Sequence, residues 1–190
     1  MIDYTFTEIL GFDSFVSDVR EAFNYHKHEI LNIEANSNYS AKIVFLQEFA
    51  KLKHIIKKYS FLKGSAILLL SDPNSESPVH TDGMKRALAI NVLLTEPNPN
   101  NLIKFYSYDM VEETASPDAT YYKLLETAKP IAEYALMDNP IIVHTMVPHR
   151  ITNPSDTPRI SISFTMKYDE YSLGGLYRAV EQVQYIAKHS

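Results

Sequence analysis

The sequence predicts a mainly β protein with flanking helices, built on a double-stranded β-helix (a jelly-roll of the cupin-like kind). Three observations predict it. From about Gly64 onward, short apolar strands follow one another with turn residues between them and no long helix intervening. The stretch from Arg159 to Tyr168 alternates strictly, with Ile160, Ile162, Phe164, Met166 and Tyr168 against Arg159, Ser161, Ser163, Thr165 and Lys167. Helical periodicity is confined to the two ends. The 190 residues therefore read as one domain over 1–190. N-terminal helices buttress a jelly-roll core at about 64–168, and a C-terminal helix closes the chain at about 173–188.

Tyr4 to Ile9 reads as a short strand. Phe12, Phe15, Val16, Val19 and Phe23 then recur at spacings of three and four, the mark of an amphipathic helix starting near Asp13. Asn32 to Ser40 is polar loop. Phe45, Phe49, Leu52, Ile56 and Tyr59 form the apolar stripe of a second helix, whose lysines between Lys51 and Lys58 make its wet face. Strands are expected at Ala66 to Leu70, Ala87 to Thr95 and Ile103 to Tyr108, and one or two helical turns at Tyr121 to Ala128, ended by Pro130. Ile131 to Leu136 and Ile141 to Val147 are strands around an Asp138-Asn139-Pro140 turn. In the last helix Leu176, Val180, Val183 and Ala187 face inward, and Gly174-Gly175 blurs its start.

Chemistry concentrates at His80-Thr81-Asp82. Residues two apart on an extended strand send their side chains to the same side, so His80 and Asp82 can share a ligand. His149, from a distant strand, completes two histidines and one carboxylate. That set is the facial triad of a non-haem Fe(II) centre, which leaves positions open for further ligands. Arg159 and Ser161 follow on one face of the alternating strand, whose polar row suits the lining of a wet internal site. A guanidinium there offers planar, bidentate hydrogen bonds to a carboxylate. His144 is the competing histidine, but on a regular strand it has the opposite parity to His149.

With this order and spacing, the stretch from about Gly64 to Tyr168 resembles the Fe(II)- and 2-oxoglutarate-dependent dioxygenase superfamily. The resemblance assigns His80, Asp82 and His149 to iron, and Arg159 with Ser161 to the far carboxylate of 2-oxoglutarate. It implies Fe(II) as metal, with 2-oxoglutarate and O2 as co-substrates. Succinate and CO2 would be released, with hydroxylation of a small molecule or a peptide side chain as the default outcome. The resemblance identifies the superfamily and no branch of it. Asn91, an amide in an apolar strand, and Tyr106 are candidate contacts to the co-substrate; Arg86 and Tyr108 are weaker candidates for the pocket. Asn153 fits a turn between His149 and Arg159.

Composition removes several alternatives. Hydrophobic residues make up 45% and charged residues 22%, an ordinary globular balance. A net charge of -5 without a basic, aromatic stripe disfavours nucleic acid as partner. The lack of cysteine excludes disulfides, thiolate metal sites and cysteine nucleophiles. No apolar run reaches membrane-spanning length, and Met1-Ile2-Asp3 is unlike a secretory signal, so a cytoplasmic protein is expected. The scattered glycines form no phosphate loop, and no serine sits in a nucleophile elbow. Oligomeric state is not set by the sequence. Two other readings remain open: a cupin-like metalloprotein with 2-oxoglutarate-independent chemistry, and a noncatalytic β-barrel binding protein.

Overall fold

Alternation along the chain sorts its strands into two facing antiparallel sheets, with the helices stacked outside one of them. The computed structural model describes residues 5–33, 41–46, 48–82, 86–114, 120–168 and 174–189. In chain order the elements are β1 (Phe6–Glu8), α1 (Asp13–Leu31), β2 (Ala41–Phe45), α2 (Ala50–Lys58), β3 (Leu62–Ser71), β4 (Ser75–Glu76) and β5 (Val79–Thr81). They continue with β6 (Leu88–Leu93), β7 (Leu102–Phe105), a 3-10 turn at Tyr108–Met110, β8 (Val111–Thr114) and β9 (Thr120–Leu124). The chain closes with β10 (Ala132–Ala135), β11 (Ile141–His144), β12 (His149–Asn153), β13 (Arg159–Met166) and α3 (Gly175–Lys188).

One sheet runs β1-β11-β6-β13-β3-β2, the other β10-β7-β12-β5-β9-β8, with β4 also paired to β12. This is the double-stranded β-helix. The first sheet is the buttressed one. The even row of β13, namely Ile162, Phe164 and Met166, is fully buried in one cluster with Phe15, Val19 and Phe23 of α1, Leu52 and Ile55 of α2, and Val180 and Val183 of α3. Burial of each such side chain is worth about 1.5–3 kcal/mol, which is what fixes the three helices to this face. Phe15 joins the layers, its ring 5.8 Å from Phe164 and 4.9 Å from Tyr59. Tyr59 in turn donates a 2.6 Å hydrogen bond to Asp18 of α1. Between the sheets, a second cluster of Leu93, Ile141 and Val143 meets Ile103, Phe105 and Ile151.

Gly11 makes the turn from β1 into α1 at φ 76, a backbone region that side chains other than glycine's rarely adopt. No helix among the described residues is long and apolar enough to cross a membrane.

Two sequence expectations are corrected. Phe45 is not on the second helix; it ends β2, an edge strand paired with β3, and is 66% exposed. The helix begins only at Ala50, after Phe49 as its cap, and buries Ile55 where Ile56 had been expected. Tyr121 to Ala128 does not open as helix. Thr120–Leu124 is a strand, because its β-branched and aromatic residues find backbone partners on both sides, in β5 and β8. The predicted loop from Asn32 to Ser40 falls largely, and the predicted start of the last helix at Leu173 falls wholly, outside the described residues.

Candidate metal and co-substrate site

His80 and His149 come from β5 and β12, and they stand directly opposite one another in the pairing of these strands. Asp82 follows β5, its amide donating to the Thr145 carbonyl at 3.1 Å. One ligand atom from each of His80, Asp82 and His149 lies within 4.8 Å of the others, so a single ion can be reached by all three.

Both rings are oriented by the same local device. His80 Nδ1 lies 2.9 Å from the Pro78 carbonyl and His149 Nδ1 lies 2.9 Å from the Val147 carbonyl, each two residues back along the chain. A carbonyl only accepts, so each Nδ1 carries the proton and each Nε2 is left as a lone-pair donor. Burial, reinforced by His80, pushes His149 down to about 4, and the ring is neutral, as a metal ligand must be. Burial alone would push the Asp82 carboxyl up. The neighbouring His149, Arg86 and His80, with the Arg86 hydrogen bond, outweigh it and hold Asp82 below the usual carboxylate value. The donor set of two imidazoles and a carboxylate oxygen fits Fe(II).

The cluster opens on an interior cavity of about 80 Å³ between the sheets. Its apolar wall includes Ile67, Leu69, Ile103, Val143 and Ile151, and its polar wall includes Ser77, Arg86, Asn91 and Ser163. The odd row of β13 is thus turned inward and buried, as its alternation predicts. Ser163 reaches the cavity. Ser161 and Arg159 lie farther along the same face, each 2% exposed and outside the residues that line the cavity. Arg159 Nη1 is buried with no hydrogen-bond partner, and burial lowers this guanidinium to about 10. An orphaned buried donor of this kind fits a carboxylate.

The second-tier residues divide. Asn91 lines the cavity, and its Oδ1 is buried without a partner. Tyr106 is buried but outside the lining, and its ring hydroxyl is pushed up, first by burial and then by the charge of Glu133. Tyr108 is 56% exposed and donates to the Met146 carbonyl. His144 lies outside the ligand cluster. It follows Val143, which faces the cavity, so on β11 it points the other way. Asn153 is fully buried and donates to the carbonyls of Asp72 and Thr157 at 2.9 and 3.0 Å, closing the turn that leads to Arg159.

Sequence reasoning missed how Arg86 is bound. Its Nε donates to Asp82 Oδ2 at 3.1 Å and its Nη2 to Ser163 Oγ at 2.7 Å. The spacing of four from Asp82 was the available signal, but it became informative only once β13 was seen to close the other side.

No family model matches the chain, and no curated protein matches its sequence. Solved structures do match its fold. The non-heme alpha ketoglutarate dependent carbocyclase SnoK from nogalamycin biosynthesis aligns at TM-score 0.55 and 13% identity, over 87% of this chain and 80% of that one. The epimerase SnoN in complex with Fe3+, alpha ketoglutarate and nogalamycin RO aligns at TM-score 0.55 and 12% identity, over 84% of this chain and 77% of that one. At such identities the likeness is one of fold. The chain has the double-stranded β-helix fold found in the Fe(II)- and 2-oxoglutarate-dependent oxygenase superfamily.

Proposed function

We propose that this protein is an Fe(II)- and 2-oxoglutarate-dependent oxygenase that hydroxylates a small molecule or a peptide side chain. The observation that carries the reading is a pairing of two unsatisfied features in one interior. Three convergent ligand atoms face the cavity, and a buried guanidinium with an unpartnered Nη1 stands on the polar row of β13. Either alone has a simpler account. Together they supply a metal position on one sheet and an anion position on the strand β13 of the facing sheet.

In this reading His80, Asp82 and His149 hold Fe(II), while Arg159 and Ser161 hold the far carboxylate of 2-oxoglutarate. Bound together, iron, 2-oxoglutarate and O2 supply the oxidising chemistry, with succinate and CO2 as products. The chain's own work is placement. The Pro78 and Val147 carbonyls fix the two imidazoles, and Arg159 neutralises a charge that the interior would otherwise reject. The wall of Ile67, Leu69, Ile103, Val143 and Ile151 keeps bulk water away.

Anaerobic titration of Fe(II) and 2-oxoglutarate into apo-protein tests this. A visible charge-transfer band that needs both ligands and is lost in His149→Ala is expected, followed by slow succinate release in air. Iron binding without that band would favour a cupin-like protein with 2-oxoglutarate-independent chemistry. No iron binding would leave a noncatalytic β-barrel.

A further inference from the structure

The two oxygens of Asp82 are treated differently. Oδ1 faces His80 Nε2 at 3.5 Å, and Oδ2 accepts the Arg86 Nε hydrogen bond at 3.1 Å. Arg86 is itself anchored at its far end. Its Nη2 donates to Ser163 at 2.7 Å, its Nη1 approaches Thr165 Oγ1 at 3.5 Å, and its backbone carbonyl accepts from the Thr145 hydroxyl. Ser163 and Thr165 belong to β13, which is hydrogen-bonded to β3 on one side and β6 on the other. The guanidinium is therefore pinned to a strand paired on both sides and holds Asp82 Oδ2 from there.

A carboxylate with both oxygens free can bind a divalent ion through both of them. Each extra oxygen occupies a coordination position that a chelating co-substrate would need. We propose that Arg86 is a positioning residue that keeps Asp82 to one oxygen on the metal and so reserves a coordination position for the co-substrate. The inference rests on the metal reading of His80, Asp82 and His149. It has an unusual signature. Removing Arg86 frees Oδ2 and also removes a positive charge beside the ion, so the metal binds more tightly while 2-oxoglutarate binds more weakly. An arginine that merely supported Asp82 would have the reverse effect on the metal, since loss of an outer partner ordinarily weakens metal binding 10–100-fold.

The test is Mn(II) titration of apo-protein, followed by electron paramagnetic resonance, in wild type, Arg86→Met and Arg86→Gln, then 2-oxoglutarate titration of each Mn(II)-loaded protein. Thermal melts confirm folding. In Arg86→Met the Mn(II) Kd should fall about tenfold and the 2-oxoglutarate Kd should rise at least about tenfold. Arg86→Gln, which retains an N–H for Oδ2, should lie between, and it decides the matter if Arg86→Met does not fold. Equal or weaker Mn(II) binding in a folded variant overturns the assignment, as does tighter metal with unchanged 2-oxoglutarate. A wild type that binds no Mn(II) overturns the metal centre instead. A wild type that binds Mn(II) but not 2-oxoglutarate overturns the proposed oxygenase, and Arg86 is then judged on Mn(II) affinity alone.

Discussion

His149 lies directly across the β5–β12 pair from His80, with the two ring centroids 4.6 Å apart. The metal position thus depends on a strand register, and each imidazole is aimed by a carbonyl two residues before it. Replacing either histidine removes one of three ligands while leaving the pairing intact. His80→Ala and His149→Ala should each weaken Mn(II) binding by at least about a hundredfold, beyond what outer-partner losses cause. His144→Ala, facing the other way, should leave it within about twofold. Comparable losses in all three variants would show that the site was drawn around the wrong histidine.

Arg159 makes a prediction of opposite sign for stability and binding. An unpaired buried donor costs about 1–3 kcal/mol, so Arg159→Met should raise the Tm of the apo-protein. The same change should abolish the Tm increase that 2-oxoglutarate gives the metal-loaded wild type. Arg159→Lys keeps the charge but loses the planar fork, and should weaken 2-oxoglutarate by roughly 30-fold, or about 2 kcal/mol. Calorimetry of the three proteins checks both signs; unchanged 2-oxoglutarate affinity would release Arg159 from its assigned role.

Neighbours on β13 should behave as strangers to one another. Phe164 is fully buried against the helices, and truncation to alanine should cost about 3–5 kcal/mol in urea unfolding. Ser163, next to it, faces the cavity and loses only a hydrogen bond to Arg86, so Ser163→Ala should cost about 1 kcal/mol and be felt mainly in metal or co-substrate affinity. Equal destabilisation by the two would contradict the division of the strand into two faces.

Asp18 sets a pH dependence in the outer layer. Burial pushes its carboxyl up, but hydrogen bonds from Lys58 and Tyr59 and the charges of Lys58 and His54 outweigh it, leaving the group below 3.8. The folded state then binds fewer protons than the unfolded one just below pH 3.8. The contribution is complete above that value and disappears as pH falls through the lower, folded value. With Asp18 partly exposed it amounts to less than about 1 kcal/mol. Unfolding curves of wild type and Asp18→Asn should differ at pH 5 and converge as pH falls below 3.8; a constant gap would place the effect elsewhere.

Much of this was legible because period-two patterns carry orientation. Once Arg159 to Tyr168 alternates, its polar row must face one way, and His80 and Asp82 must share a side. The coarse layering was legible too, since Phe15, Val19 and Phe23 at helical spacing need a sheet to cover. What stayed hidden was set by non-local partners. Tyr121 and Tyr122 read equally well as a helical turn until β5 and β8 pair with them. Phe45 looked like part of a helical stripe because nothing local shows that β3 has an open edge there. Arg86 could have met any anion, and only the return of β13 places Ser163 and Thr165 against it.

The two faces of β13 have a consequence for how this sequence can change. Inserting or deleting one residue within Arg159–Met166 would exchange its rows, turning Ser161 and Ser163 toward α1 and sending Ile162 and Phe164 into the cavity. Only a bulge, such as the register shift β13 already carries between Phe164 and Met166, could absorb such a change. Any other change of length there would disturb the helical layer and the site together, so the polar row is inherited with the core that supports it.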